Sequence, residues 1–219
     1  RPKRIPDRRT GEVVKVLSPQ ERGEQLLGQL RLSPEQQQKF RFVDGDVEKP
    51  DLGLAAETVA HLERTLTHVI HSAASVSFDD PYPDSFRANV TGALNALHFS
   101  HRLQGAKGSH FVAHLGIETS YIHGRQVREL AREDEIVFPR NFYNNYYELT
   151  KAMASIETER FMLEHGLRVV QLCPAIVIGE SRFGNNRGDR KVVNAPVNVF
   201  GRAGAAVQEI EDTLGRSKA

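Results

Sequence analysis

Residues 67–78 read Thr67-His68-Val69-Ile70-His71-Ser72-Ala73-Ala74-Ser75-Val76-Ser77-Phe78. A short β-branched run, Val69-Ile70, breaks into small and hydroxyl residues, as a buried strand does where it runs out into a loop. Downstream the alternation continues: a helical pattern over 83–102, a strand over 109–115, a helix over 146–165 and a strand over 167–172. Upstream, 54–65 has helical spacing and 40–43 reads as another strand. Near-continuous apolar runs such as Val69-Ile70 and Val169-Val170, separated by amphipathic helices, predict a parallel sheet buried on both faces. The expected class is α/β, a Rossmann-like doubly wound parallel sheet, with ligands at the carboxyl ends of its strands. Ser18-Pro19-Gln20-Glu21 and Ser33-Pro34-Glu35-Gln36 each place a capping Ser, a Pro at the first helical position and an acid or amide three residues after the Ser. They predict two polar surface helices. The 118–145 stretch is too long for a simple strand-to-helix link, and long loops of this kind carry function.

Composition narrows the classes of function. The 219 residues hold 29 Lys+Arg against 28 Asp+Glu, a net charge of +1 that gives no global attraction to nucleic acid or to an acidic membrane. The basic cluster Arg1, Lys3, Arg4, Arg8 and Arg9 has no interleaved aromatic residues, which also argues against nucleic acid. The most apolar stretch, 169–179, is broken by Gln171 and Pro174 and falls short of the ~20 residues that span a bilayer. The lone Cys173 excludes an internal disulfide. The expectation is a soluble cytoplasmic domain without integral membrane segment. Among nine His, His98 and His101 have helical spacing, but no carboxylate or thiol joins them at ligand spacing, so no metal site is expected.

Tyr147 and Lys151 stand four apart at the start of a helix and share one face. A nearby ammonium favours phenolate over phenol, so such a pair can deliver or remove a proton at a carbonyl or alcohol. Leu149, Ala152, Met153, Ile156 and Leu163 are the expected buried stripe of that helix, leaving Tyr147 and Lys151 free for chemistry. Thr119 follows a strand's carboxyl end, with Gly124 closing the turn; it is either an ordinary turn residue or a hydroxyl that orients a substrate oxygen. Asn89 lies on the stripe Phe86, Val90, Ala93, Leu97 and needs partners there, in a neighbouring loop or in a site. Asp46 either caps the loop that follows it or accepts from a ligand amine.

Read together, these stretches resemble an extended short-chain dehydrogenase/reductase, in the branch of fatty acyl-CoA reductases and thioester reductase domains. The resemblance runs through Gly45-Asp46-Val47, Asp51-Leu52-Gly53-Leu54, His71 to Phe78, Asn89-Val90-Thr91-Gly92, Thr119-Ser120-Tyr121-Ile122-His123-Gly124, Tyr147-Glu148-Leu149-Thr150-Lys151-Ala152 and Cys173 to Arg182. It implies that Tyr147 is the proton donor in reduction. Lys151 lowers its pKa and holds the nicotinamide ribose, and Thr119 orients the carbonyl. Asp46 and Val47 flank the adenine, Ala73, Ala74 and Ser75 pass along the ribose and pyrophosphate, and Asn89 supports the site. Pro174 and Val177 border the nicotinamide. Arg1, Lys3 and Arg4 are placed for a 2′-phosphate, which makes NADPH the expected cofactor and an acyl thioester, or the aldehyde derived from it, the expected substrate.

Two departures from the family pattern stand out. Glu118 occupies a position that commonly holds a small hydroxyl residue. No Gly-x-x-Gly-x-x-Gly follows a first strand. The first strand, glycine turn, first helix and second strand are therefore expected upstream of Arg1, with most of the substrate domain beyond Ala219. Residues 1–179 would be an incomplete NAD(P)-binding domain, weak alone in cofactor binding, and 180–219 the start of a substrate-binding region. Pairing of two copies through the 83–102 helix is a further expectation. The competing readings are a sugar-nucleotide epimerase, a steroid or flavonoid alcohol dehydrogenase, and a non-catalytic dinucleotide-sensing module.

Overall fold

A computed structural model of the chain describes residues 3–6, 13–30, 32–126, 130–135, 138–179, 182 and 194–216. Two compact units divide it, Arg1–Cys173 and Pro174–Ala219. The first opens on an antiparallel pair, β1 (Lys3–Pro6) with β2 (Val13–Leu17), in which Arg4 faces Val16. The backbone of Lys3 and Arg4, two members of the basic cluster, is thus strand. Helices α1 (Pro19–Gln29) and α2 (Pro34–Gln37) follow. Both close the expected capping box: the Ser18 hydroxyl accepts from Glu21 N–H at 3.1 Å, and Ser33 repeats the arrangement with Gln36.

The expected strand at 40–43 does not form. The Arg41 guanidinium donates to the Gln38 and Phe40 carbonyls at 2.7 and 2.9 Å, and no neighbouring strand offers this backbone a ladder among the described residues. Phe42 instead packs on α1 at Gly23, where an added Cβ would run into its ring.

Helix α3 (Ala56–Thr65) leads into the parallel sheet, whose order is β3 (His68–His71), β4 (Ala113–Ile117) and β5 (Val169–Leu172). Between β3 and β4 runs one long helix in three parts: α4 (Tyr82–Phe86), a π turn over Arg87–Thr91, and α5 (Gly92–Gly105). Between β4 and β5 runs α6 (Tyr146–His165). Pairing aligns Val69 with His114 and His114 with Val169 on the face that α5 and α6 cover. There Val59, Leu97, Phe99, Leu103, Phe111, Phe161 and Leu167 form the core.

The sheet was expected to be covered on both faces. Within the described residues its other face exposes Ile70, at 67%, with Val170 and Leu172. The stripe of α6 also departs from expectation: Leu163 is exposed, and Lys151, Ala154, Ser155, Thr158 and Phe161 turn inward. Small and hydrogen-bonding residues win that face because the helix lies close on the sheet, with Ser155 Oγ donating to Gln171 on β5 at 2.6 Å. The second unit carries α7 (Asn194–Arg216).

Candidate active site

Each parallel strand ends at a segment with chemical character. Ser72–Ser75 leave β3, Glu118 and Thr119 leave β4, and Cys173 leaves β5. Ligands bind at this end of such sheets because the chain leaves the ladder there and frees its polar groups.

Thr119 ends β4 in extended conformation (φ −150°, ψ 150°) and caps the 3₁₀ turn Ser120–His123, its hydroxyl accepting from Tyr121 N–H at 3.3 Å. Gly124 closes the turn at φ +63°, and a Cβ there would meet the Phe142 carbonyl oxygen at 2.8 Å. The return of the long loop is fastened to this turn. Asn141 Nδ2 donates to the His123 carbonyl at 2.7 Å, Tyr143 Oη to the Ile122 carbonyl at 2.9 Å, and Arg125 Nε to Asn144 Oδ1 at 2.7 Å.

That fastening delivers the first residues of α6. Asn145 caps the helix, its side-chain oxygen accepting from Glu148 N–H at 2.9 Å, while the buried Glu148 carboxylate accepts from Asn144 N–H at 2.9 Å. Tyr147, in the first turn, is half-buried with its ring against Phe78 (5.6 Å between centroids). Burial is the main cause pushing its phenol above the ordinary range. The Thr119 hydroxyl lowers it, and Glu118, Tyr121 and Glu148 raise it further.

Lys151, one turn along, is buried. Its Nζ donates to the Ile117 carbonyl at 2.8 Å and lies 2.8 Å from Glu118 Oε2. The direction at Tyr147 is thus opposite to the lowering expected from Lys151, with burial as its largest cause. Glu118 in turn is raised by desolvation, with Lys151 pulling the other way. Behind this pair His114 is buried, its Nδ1 2.7 Å from Ser100 Oγ. It lies near His71, and burial lowers both imidazoles to about 4.

Asn89 is buried in the π turn and links three elements. Its Oδ1 accepts from Ser75 N–H at 2.7 Å, and its Nδ2 donates to the Ser75 carbonyl at 3.2 Å and to Thr150 Oγ1 at 3.0 Å. The amide thus fixes the loop leaving β3 to the helix that carries Tyr147 and Lys151. π turns are frequent at functional sites. The Ser75 hydroxyl donates to Asp80 at 2.5 Å, so this loop is braced from both sides; Ala73 is exposed and Ala74 partly so.

Asp46 takes the capping option: its Oδ1 accepts from Glu48 N–H at 3.1 Å, and the Val47 carbonyl accepts from Asn95 Nδ2 at 2.8 Å. Arg1 lies outside the described residues; for Lys3 and Arg4 the backbone is placed in β1. Pro174 and Val177 belong to the second unit, both exposed. His98 stands edge-on to Phe161 at 4.9 Å, and among the described residues no three His, Cys, Asp or Glu gather as metal ligands.

Sequence reasoning had missed Thr150, Phe78 and the role of Glu148. Only the last left a signal, the spacing Asn145-x-x-Glu148 of a capped helix start.

Comparison with known proteins agrees with this geometry. The profile of the family described as Male sterility protein, an NAD-binding family, matches residues 14–212. A hybrid PKS-NRPS synthetase, ucsA, from Acremonium sp. is 28% identical over 151 residues, 69% of this chain and 4% of the synthetase. The terminal R domain from the myxalamid PKS-NRPS biosynthetic pathway superposes with a TM-score of 0.63 at 23% identity, over 74% of this chain and 40% of that one. UDP-glucose 4-epimerase from Brucella ovis, solved with NAD, gives 0.52 at 23% identity, over 68% and 42%. The chain spans less than half the length of each of these proteins. No described helix is long and apolar enough to cross a membrane. With the parallel sheet and the profile match in agreement, the chain belongs to the Male sterility protein family of NAD-binding domains.

Proposed function

We propose that the protein reduces an acyl thioester, carrier-bound or as a coenzyme A ester, or the derived aldehyde, using NADPH. The observation that carries this reading is the meeting of Thr119 and Tyr147 at the carboxyl end of the parallel sheet, with Lys151 one turn further along α6. The likeness to a terminal R domain of a PKS-NRPS pathway and to a hybrid PKS-NRPS synthetase supports a thioester over a sugar nucleotide.

The residues present fit a dinucleotide. Ala73 and Ala74 put little side-chain bulk at the end of β3, and Lys151 places an ammonium at the end of the neighbouring β4. In this reading Asp46 and Val47 flank the adenine, and Ala73, Ala74 and Ser75 follow the ribose and pyrophosphate. Lys151 holds the nicotinamide ribose, and Arg1, Lys3 and Arg4 meet the 2′-phosphate. Residues 1–179 form the cofactor-binding part and 180–219 belong to the substrate region, in a cytoplasmic protein that pairs through the 83–102 helix.

When bound, the reduced nicotinamide supplies hydride to the carbonyl carbon. Thr119 Oγ1 donates a hydrogen bond that orients the carbonyl oxygen, and Tyr147 Oη gives that oxygen its proton. A phenol is protonated at neutral pH as the donor must be, and burial moves Tyr147 further in that direction.

The test is product analysis of the full chain with an acyl thioester and NADPH, beside Tyr147→Phe. The parent should consume the thioester. The variant should lose about 10²- to 10⁴-fold in kcat with its NADPH Kd within about twofold. Unchanged turnover in Tyr147→Phe, or an intact thioester with epimerised sugar nucleotide, would overturn the reading.

A further inference from the structure

Glu118 is a buried charge that none of the steps above uses. Its side chain is 1% exposed and that of Lys151 5%, with Oε2 2.8 Å from Nζ. The contact is a buried ion pair. Nζ has a second fixed neighbour, the Ile117 carbonyl at 2.8 Å, so both partners of the ammonium come from the end of β4. A buried carboxylate tolerates its desolvation only beside such a cation, and the cation is pinned in return.

Of the other ionisable groups, His71 on β3 feels Lys151 and its neighbour His114 on β4, Cys173 after β5 feels both members of the pair, and Tyr121 and Glu148 bear on the Tyr147 phenol. Both histidines are neutral above about pH 4. Glu133 reaches Cys173 from the long loop. The charged groups that bear on the Tyr147 phenol, Glu118 and Glu148, are both acidic.

We propose that Glu118 is a positioning residue that clamps the Lys151 ammonium against the end of β4 and cancels its charge, holding Tyr147 in its proton-donating form. The inference rests on the reductase reading and adds to it a bias toward reduction. Proton transfer from Tyr147 Oη to the carbonyl oxygen leaves a phenolate, and the adjacent carboxylate opposes that charge, which favours reprotonation from solvent before the next turnover. A small hydroxyl at this position would leave Lys151 free to stabilise the phenolate, the form that takes a proton from an alcohol.

The experiment compares the full chain with Glu118→Gln, Glu118→Ser and Glu118→Asp. Tyrosinate absorbance is titrated for each protein against its Tyr147→Phe counterpart, so the difference reports Tyr147 alone and needs no turnover. Glu118→Gln and Glu118→Ser should ionise Tyr147 about one pH unit lower. The alkaline limb of kcat for thioester reduction should move down with it, and Glu118→Asp should restore much of the parent behaviour. Should the Gln variant fail to fold, the Ser variant decides, since it is the residue type the family commonly places there. A Tyr147 titration that stays put in both uncharged variants would overturn the inference. Loss of the thioester activity assignment in the parent chain would overturn the reductase reading instead, and the tyrosinate difference separates the two failures.

Discussion

Asn89 shows how one side chain sets a site without touching the reacting atoms. Its amide satisfies the Ser75 backbone on both sides and reaches Thr150, so the loop leaving β3 and the helix bearing Tyr147 share a buried pin. Removing it leaves the Ser75 N–H without its partner, while Thr150 keeps its bond to the Tyr146 carbonyl at 2.6 Å. Asn89→Ala should cost about 1–3 kcal/mol in urea unfolding, and it should weaken NADPH binding more than Tyr147→Phe does. Equal stability of variant and parent would mean that water replaces the amide. At this scale the sequence was informative where the constraint is local. Tyr147 and Lys151 announce themselves by helical spacing, and the buried amide announces a need for partners. The Glu118–Lys151 pair could not be read, because the two residues are far apart in the chain and meet only when α6 docks on β4.

Helix α6 matched its expected bounds because both ends carry local signals, a capping Asn145 and Gly166 at φ +61°. Its buried face was misread, since periodicity marks apolar residues while the sheet at this helix accepts Ala154, Ser155 and Thr158. The strand expected at 40–43 failed for the same reason at longer range, because a strand exists only with a partner and pattern alone does not supply one. The cap is also functional in placement, two residues before Tyr147. Asn145→Ala should lower stability by about 1 kcal/mol and reduce kcat by more than that loss of folded protein explains, as the first turn frays. Asn145→Ser, which can still accept from Glu148 N–H, should recover most of both. A kcat unaffected by the Ala variant would show that the Asn141, Tyr143 and Asn144 contacts position Tyr147 without the cap.

Across the molecule, the covered face of the parallel sheet carries an unusual load, two neutral imidazoles in register neighbourhood on β3 and β4. Their burial was not legible, because alternating His68, His71 and His114 among apolar residues reads equally well with the ring in or out. Its consequence is a definite pH dependence. Both groups titrate near 6.5 in the unfolded chain and at about 4 in the fold, lowered first by desolvation and, for His71, also by His114 and Lys151. Between those limits the unfolded state binds more protons, so stability is fully present above about pH 6.5 and falls as pH drops toward 4. The slope approaches about 1.4 kcal/mol per pH unit for each histidine. Glu118 acts in the opposite sense, since its raised folded pKa lets the native state take up a proton before the unfolded one does. Urea midpoints from pH 7.5 down to pH 4.5 should therefore fall in the parent, and fall less in a His71→Asn, His114→Gln protein, whose side chains keep polar groups without the titration. If the two proteins lose stability in parallel, the acid sensitivity belongs to other groups and the two imidazoles are not held neutral by the fold.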